Sequence, residues 1–201
     1  AILPLEEAIQ SVSLIVVAVP VDEAVRLLPV LLDRIGGGHT VTDVCSTKRA
    51  LVEAVANHPR RDRFVGGHPM AGTEYSGPAA ARQGLFAGRI GILCDTAYSA
   101  PDAVRLVEAM YAALGMNLVY MDADRHDLHT AYVSHLSHVV SYALALTVLD
   151  KERDERQIFN LAGGGFASTA RLAKSHPAMW TPIFEHNADH LLKAVEAFQE
   201  R

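Results

Sequence analysis

Ser13 to Val19 reads SLIVVAV, a short unbroken run rich in β-branched residues and closed by Pro20, which is the pattern of a strand buried on both faces. From Asp22 to Ile35 the spacing turns helical, with Val25, Leu28, Leu31 and Leu32 on one side, and Gly36-Gly37-Gly38 ends it. A second strand, Thr40 to Val44, leads into Ser46-Thr47-Lys48 and a helix from about Arg49 to Ala56, for which Ser46 or Thr47 is the natural N-cap. A third strand, Phe64 to Gly67, runs into His68-Pro69. A fourth, Arg89 to Cys94, precedes a helix at Pro101 to Leu114 and a last strand at Asn117 to Met121. Strands alternating with helices of this length predict parallel βαβ units.

After Asp122 the pattern changes. Leu128, Tyr132, Leu136, Val139, Ala143 and Leu146 recur at a helical period through Arg125 to Leu149, and no strand follows. Further helices are expected at about Glu155 to Leu161, Ser168 to Ser175 and Met179 to Phe198. The predicted organisation is an α/β part over residues 1–122 and an all-α part over 123–201, with no linker between them.

Composition narrows the classes of function. With half of 201 residues hydrophobic and a net charge of -5, the chain is globular and poorly suited to nucleic acid. The longest apolar run, Leu14 to Pro20, is far short of the roughly 20 residues that cross a bilayer, so no membrane partner is expected. Cys45 and Cys94 have no disulfide or zinc spacing, and a reducing cytoplasm is the simplest setting. Arg60-Arg61-Asp62-Arg63 reads as a solvated loop. The ten histidines are the compositional feature that hints at chemistry.

Three segments concentrate that chemistry: TDVCSTK at 42–48, GGHPMAGTEYSG at 66–77 and GGGFASTARLAKSHPAMW at 163–180. The first two follow predicted parallel strands, at the edge where ligands bind in open α/β sheets. His68 alone reads equally as an edge cap or as a proton acceptor. Its flanking glycines, Thr73 and Glu74 favour a ligand. Ser46 reads as a helix cap that could also face an anion. Arg171, expected one turn inside a helix opened by Gly163–Gly165, suits a carboxylate. His126, His129, His135 and His138 form two i,i+3 pairs, but further metal ligands are not evident, so no metal is assigned. His135 reads as a packed core histidine, and Trp180 is more often core than platform.

In this order and spacing, AVPV at 18–21, DVCSTK, GGHPMAGTEYSG, SHLSHVVSYAL at 134–144 and the 163–180 segment resemble the prephenate/arogenate dehydrogenase family. The resemblance implies a Rossmann-type nucleotide-binding domain followed by a helical substrate and dimerisation domain. The implied reaction is oxidative decarboxylation of prephenate or arogenate with hydride transfer to NAD or NADP. His68 then matches the histidine on the ring hydroxyl, and Ser46 the serine supporting that hydroxyl and the nicotinamide. Arg171 matches a carboxylate-binding arginine, while His138, Glu74, Thr73 and Trp180 match pocket positions. Val19 and Pro20 fall on the cofactor side. A homodimer and a possible tyrosine feedback ligand are further implications. Two features depart from the family: no Gly-x-Gly-x-x-Gly opens the α/β part, as if the chain began inside that fold, and Ala167-Ser168 replaces a basic–acidic pair. The competing readings are a β-hydroxyacid-type dehydrogenase, disfavoured because Arg125–Leu149 has no lysine, and a non-catalytic dimeric module binding tyrosine or its precursor.

Overall fold

The computed structural model describes residues 2–73 and 77–201, and these fall into two compact units: Ala1–Gly72 with Arg82–Asp127, and Thr73–Ala81 with Leu128–Arg201.

The first unit is built on one sheet with strand order β1 (Leu14–Val17), β2 (Thr40–Asp43), β3 (Phe64–Pro69), β4 (Ile90–Cys94) and β5 (Asn117–Met121). Alternation along β3 sends its side chains to two separate cores. Phe64 joins Leu28, Leu31, Leu32, Leu51 and Val55 from α2 (Val21–Arg34) and α3 (Arg49–Val55). Val65 joins Leu93, Val107 and Tyr111 on the side of α4 (Pro101–Ala113). With helices on both faces, every residue of β2 is buried, the polar Thr40, Thr42 and Asp43 included. This is a Rossmann-like, mostly parallel sheet.

One pairing departs from the expected parallel order. β1, β2 and β3 run parallel, but β4 is antiparallel to β3, and β5 is parallel to β4. A parallel return needs a crossover long enough to climb back along the sheet, usually a helix. Residues 70–89 contain only the short turn Pro78–Ala80 among their described residues, so the chain re-enters in the opposite direction.

Tyr111 explains two of the glycines in this unit. A Cβ on Gly91 would stand 2.4 Å from the Tyr111 ring, and one on Gly67 would stand 2.7 Å from its hydroxyl. The close approach that Gly67 permits therefore serves core packing. Gly91→Ala is expected to lower stability by about 1–3 kcal/mol, the usual cost of overpacking. Tyr111→Phe should be close to neutral, because the buried hydroxyl has no hydrogen-bond partner. Thermal melts of both variants check the pair.

The Arg60–Arg63 segment is not a solvated loop. Arg61 and Arg63 are 8% and 7% exposed. Arg63 donates to the His39 carbonyl at 2.6 Å, to Thr40 Oγ1 at 3.2 Å and to both Asp102 carboxylate oxygens at 3.1 and 2.9 Å. Arg61 donates to the Phe64 carbonyl at 2.8 Å. Charge density in sequence did not disclose that these guanidiniums satisfy carbonyls at strand ends.

The second unit is helical. Its first helix starts in the last residues of the first unit: α5 (Ala123–Thr130), a π turn at Ala131–His135 and α6 (Leu136–Asp154) form a helix of 32 residues, of which Ala123–Asp127 belong to the first unit. By length and apolar content alone it could cross a membrane, although it contains no unbroken apolar run of that length. Yet His126 and His135 are packed within the protein at 0% and 1% exposure, an unfavourable arrangement for a lipid-facing helix. The helix expected over Glu155–Leu161 is replaced by a turn: Glu152 accepts from the Gln157 and Phe159 amides, Gln157 has φ 90°, and one 3-10 turn covers Phe159–Leu161. α7 (Gly164–Thr169) precedes a 3-10 turn at Arg171–Lys174. The helix expected over Met179–Phe198 is two, α8 (Pro177–His186) and α9 (Ala188–Gln199). Asn187, at φ -128°, breaks them and puts its side-chain amide 3.1 Å from His135 Nδ1.

Candidate active site

In the first unit the site grows from the ends of β2 and β3. Asp43, the last residue of β2, is fully buried and accepts from the amides of Gly67 at 3.1 Å and Cys45 at 2.9 Å. Lys48 is equally buried; its Nζ donates to Asp43 Oδ2 and, at 2.7 Å, to the Gly67 carbonyl. Both backbone groups of Gly67 are thus held from the β2 side, which fixes where the next residue, His68, emerges. His68 is 9% exposed, and its Nδ1 lies 2.8 Å from His126 Nε2. His126 Nδ1 in turn lies 2.7 Å from Asp127 Oδ1.

Asp127 also corrects the reading of the α3 N-terminus. Neither Ser46 nor Thr47 caps that helix: its N-cap is Lys48, with no capping bond from its own side chain. The exposed amides are instead satisfied by Asp127, which accepts from Lys48 N at 2.7 Å and Arg49 N at 2.9 Å. A carboxylate supplied from far along the chain does the work expected of a neighbouring hydroxyl. Ser46 is left half-buried just beyond β2. Val19 and Pro20 lie exposed beyond β1, and the Val19 carbonyl accepts from the Cys45 thiol at 3.6 Å. Burial pushes that thiol up to about 12, so it has no nucleophilic role.

The second unit carries the remaining described residues. His138 is 8% exposed and stacks on Trp180, with ring centroids 3.4 Å apart and planes at 24°. Its Nδ1 donates to the Ser134 carbonyl at 3.0 Å, leaving Nε2 as the acceptor in the neutral ring. Burial lowers the His138 pKa; the Ser134 bond opposes that shift and the charge of Arg171 adds to it. Trp180 is buried, and its indole N–H has no partner.

Arg171 does not lie inside a helix; it opens the separate 3-10 turn. Ser141 positions that turn by donating to the Thr169 carbonyl and accepting from the Ala173 amide, each at 3.0 Å. The Arg171 side chain is exposed and Thr73 is partly buried. Glu74 lies outside the described residues. His135 makes an edge contact with Trp180 at 6.0 Å. Of the four histidines of the long helix, His126 meets His68 and Asp127, His135 and His138 both pack on Trp180, and His129 is exposed; no cluster of three or more metal-ligating side chains occurs among the described residues.

Sequence reasoning missed Asp43, Lys48, His126 and Asp127. The dipeptide His126-Asp127 at the start of the helical part was the available signal, but the i,i+3 spacing drew attention to metal ligation instead.

Comparisons with known proteins converge. The family described as prephenate dehydrogenase, nucleotide-binding domain, matches residues 4–120, and that described as prephenate dehydrogenase, dimerization domain, matches residues 122–201. The chain is 34% identical to a prephenate dehydrogenase of Bacillus subtilis over 187 residues, which is 92% of this chain and 50% of that protein. Among solved structures, the Aquifex aeolicus prephenate dehydrogenase in complex with hydroxyphenyl propionate and NAD+ aligns with a TM-score of 0.85 and 33% identity, covering 94% of this chain and 65% of that one. The Synechocystis arogenate dehydrogenase aligns with a TM-score of 0.77 and 29% identity over 97% and 70% of the two chains. The chain spans about half the length of the Bacillus relative. With both domains matched in order across nearly every residue, the chain belongs to the prephenate dehydrogenase family.

Proposed function

We propose that the protein carrying this chain oxidatively decarboxylates prephenate or arogenate, with hydride transfer to NAD+ or NADP+. The observation that carries this reading is His68: an imidazole at the end of β3, nearly buried and braced through one ring nitrogen by His126. Such a group receives a hydroxyl proton near neutral pH.

The substrate joins a ring carbon bearing hydrogen and hydroxyl to an opposite carbon bearing a carboxylate. A bound nicotinamide would take the hydride from the first carbon, and His68 would take the hydroxyl proton. The bond to the carboxylate then breaks, carbon dioxide departs, and its electron pair completes the aromatic ring. The resulting phenolate oxygen takes the proton back from His68. Aromatisation supplies the driving force, so the residues need mainly to orient the hydroxyl and hold one proton.

Ser46, half-buried beside the end of β2, is assigned to support the hydroxyl. Val19, Pro20 and Ser46 would line the nicotinamide, and their partial or full exposure at the C-terminal ends of β1 and β2 fits a cofactor at that edge. Arg171 is assigned to a substrate carboxylate. Thr73, Glu74, His138 and Trp180 are assigned to the substrate pocket, and the partnerless indole N–H of Trp180 offers a donor for a polar substrate atom. Residues 1–122 would form the nucleotide-binding domain and 123–201 the substrate and dimerisation domain.

A homodimer through the helical unit accompanies this reading. It is supported by the exposed Val133, Leu146, Leu149 and Leu161, and by an apolar groove of about 300 Å³ between Tyr132, Leu136, Val140, Leu172 and Phe198. Both cysteines are free thiols, which agrees with a cytoplasmic setting. Tyrosine, sharing the ring and a carboxylate with the product, is the feedback ligand to test.

Turnover of each substrate with each cofactor, by the full-length protein, tests the proposal. Reduced cofactor and carbon dioxide are expected in equal amounts. No reduction with either substrate would remove it.

A further inference from the structure

His68, His126, Asp127 and the start of α3 form one line of hydrogen bonds, and the chemistry at one end fixes the direction of donation along it. Asp127 accepts two backbone amides, from Lys48 and Arg49, and a carboxylate has no hydrogen to give. The hydrogen between Asp127 and His126, at 2.7 Å, therefore sits on His126 Nδ1. Burial lowers the His126 pKa despite the opposing bond to Asp127, which keeps that ring neutral at pH 7. A neutral imidazole with hydrogen on Nδ1 has a lone pair on Nε2. His126 Nε2 accordingly accepts at 2.8 Å, and the donor is His68 Nδ1–H.

We propose that Asp127 and His126 are positioning residues that set the tautomer of His68, placing its hydrogen on Nδ1 and leaving Nε2 as the proton-accepting atom. Of the two neutral tautomers, only this one can take the hydroxyl proton through Nε2. The other would present an N–H there, a donor where an acceptor is needed. The same contacts hold the ring plane: His126 meets His68 edge-on, with centroids 5.0 Å apart and planes at 62°. Both residues of the relay are fully buried, so water does not compete for the intervening bonds. The catalytic consequence rests on the function proposed above, whereas the tautomer itself does not.

The experiment uses the whole chain with ¹⁵N-labelled histidine, assigning the His68 ring among the ten histidines by its loss in His68→Asn. Nitrogen chemical shifts at pH 7 are expected to show His68 and His126 each protonated on Nδ1 and bare on Nε2. His126→Gln keeps an acceptor oxygen near the position of Nε2 and should preserve the His68 tautomer. His126→Leu removes the acceptor, so the two tautomers should mix. In the full-length enzyme, kcat should fall roughly 10- to 100-fold in the leucine variant with little change in KM, and recover substantially in the glutamine variant.

A wild-type His68 carrying its hydrogen on Nε2 overturns the proposal. So does a folded His126→Leu protein with the wild-type tautomer and kcat. Should the leucine variant not fold, the wild-type and glutamine spectra still decide. If the expected tautomer is found but neither substrate turns over, the functional reading fails and the relay stands.

Discussion

Lys48→Met is expected to destabilise the first unit by about 3–5 kcal/mol, the usual cost of breaking a buried ion pair from one side. Methionine retains much of the lysine stem but leaves the Asp43 carboxylate in a site with no exposure to solvent. It also deprives the Gly67 carbonyl of its Nζ donor. Removing both charges, as Lys48→Met with Asp43→Leu, should restore only part of the loss, because the Gly67 and Cys45 amides then lack their acceptor. Urea denaturation midpoints measure both effects. A single variant within about 1 kcal/mol of wild type would mean that the pair contributes no more than a surface contact.

The second large effect concerns rate. His68→Asn is expected to lower kcat by roughly 10²-fold or more, as loss of a general base commonly does. KM should change little, since the carboxylate contacts assigned to Arg171 remain. Asparagine can keep a hydrogen bond to His126 Nε2 through its side-chain amide, so the fold should survive and the loss can be read as chemistry. Near-normal kcat in that variant would take His68 out of the mechanism. The ratio of the two kcat values, measured with saturating substrate and cofactor, is the deciding quantity.

The fold was readable where burial imposed a pattern. The amphipathic spacing of α2 and the glycines after it lie close to where sequence puts them, and so does β1. Yet β1 is only partly buried, with Val16 exposed, and is not the strand covered on both faces that its β-branched run predicts. Three features were hidden for distinct physical reasons. The antiparallel entry of β4 depends on what the chain does between residues 70 and 89, a stretch without periodicity. The break at Asn187 depends on a partner, His135, 52 residues away. Arg61 and Arg63 look solvated because charge is normally exposed, and only the carbonyl ends they meet reveal otherwise.

The candidate site divides in the same manner. His68 stood out because its neighbours Gly66, Gly67, Pro69 and Gly72 are unusual together. The groups bracing it did not, since Asp127 is 79 residues from the amide of Lys48 and no local spacing encodes that bond. Local motifs disclose the atom that touches a ligand more readily than the atoms that aim it.

The two edges of the sheet are built for different tasks. Where β2 and β3 begin, Arg61 and Arg63 bind carbonyls, a hydroxyl and the Asp102 carboxylate, and no site residue lies there. Where the same strands end, Asp43 and Lys48 pair with each other and hold both backbone groups of Gly67, the residue before His68. Attempts to raise heat resistance should therefore begin at the arginine edge, where substitutions can be chosen without disturbing turnover. Altered substrate preference should be sought in the helical unit, on positions that do not share atoms with the buried ion pair.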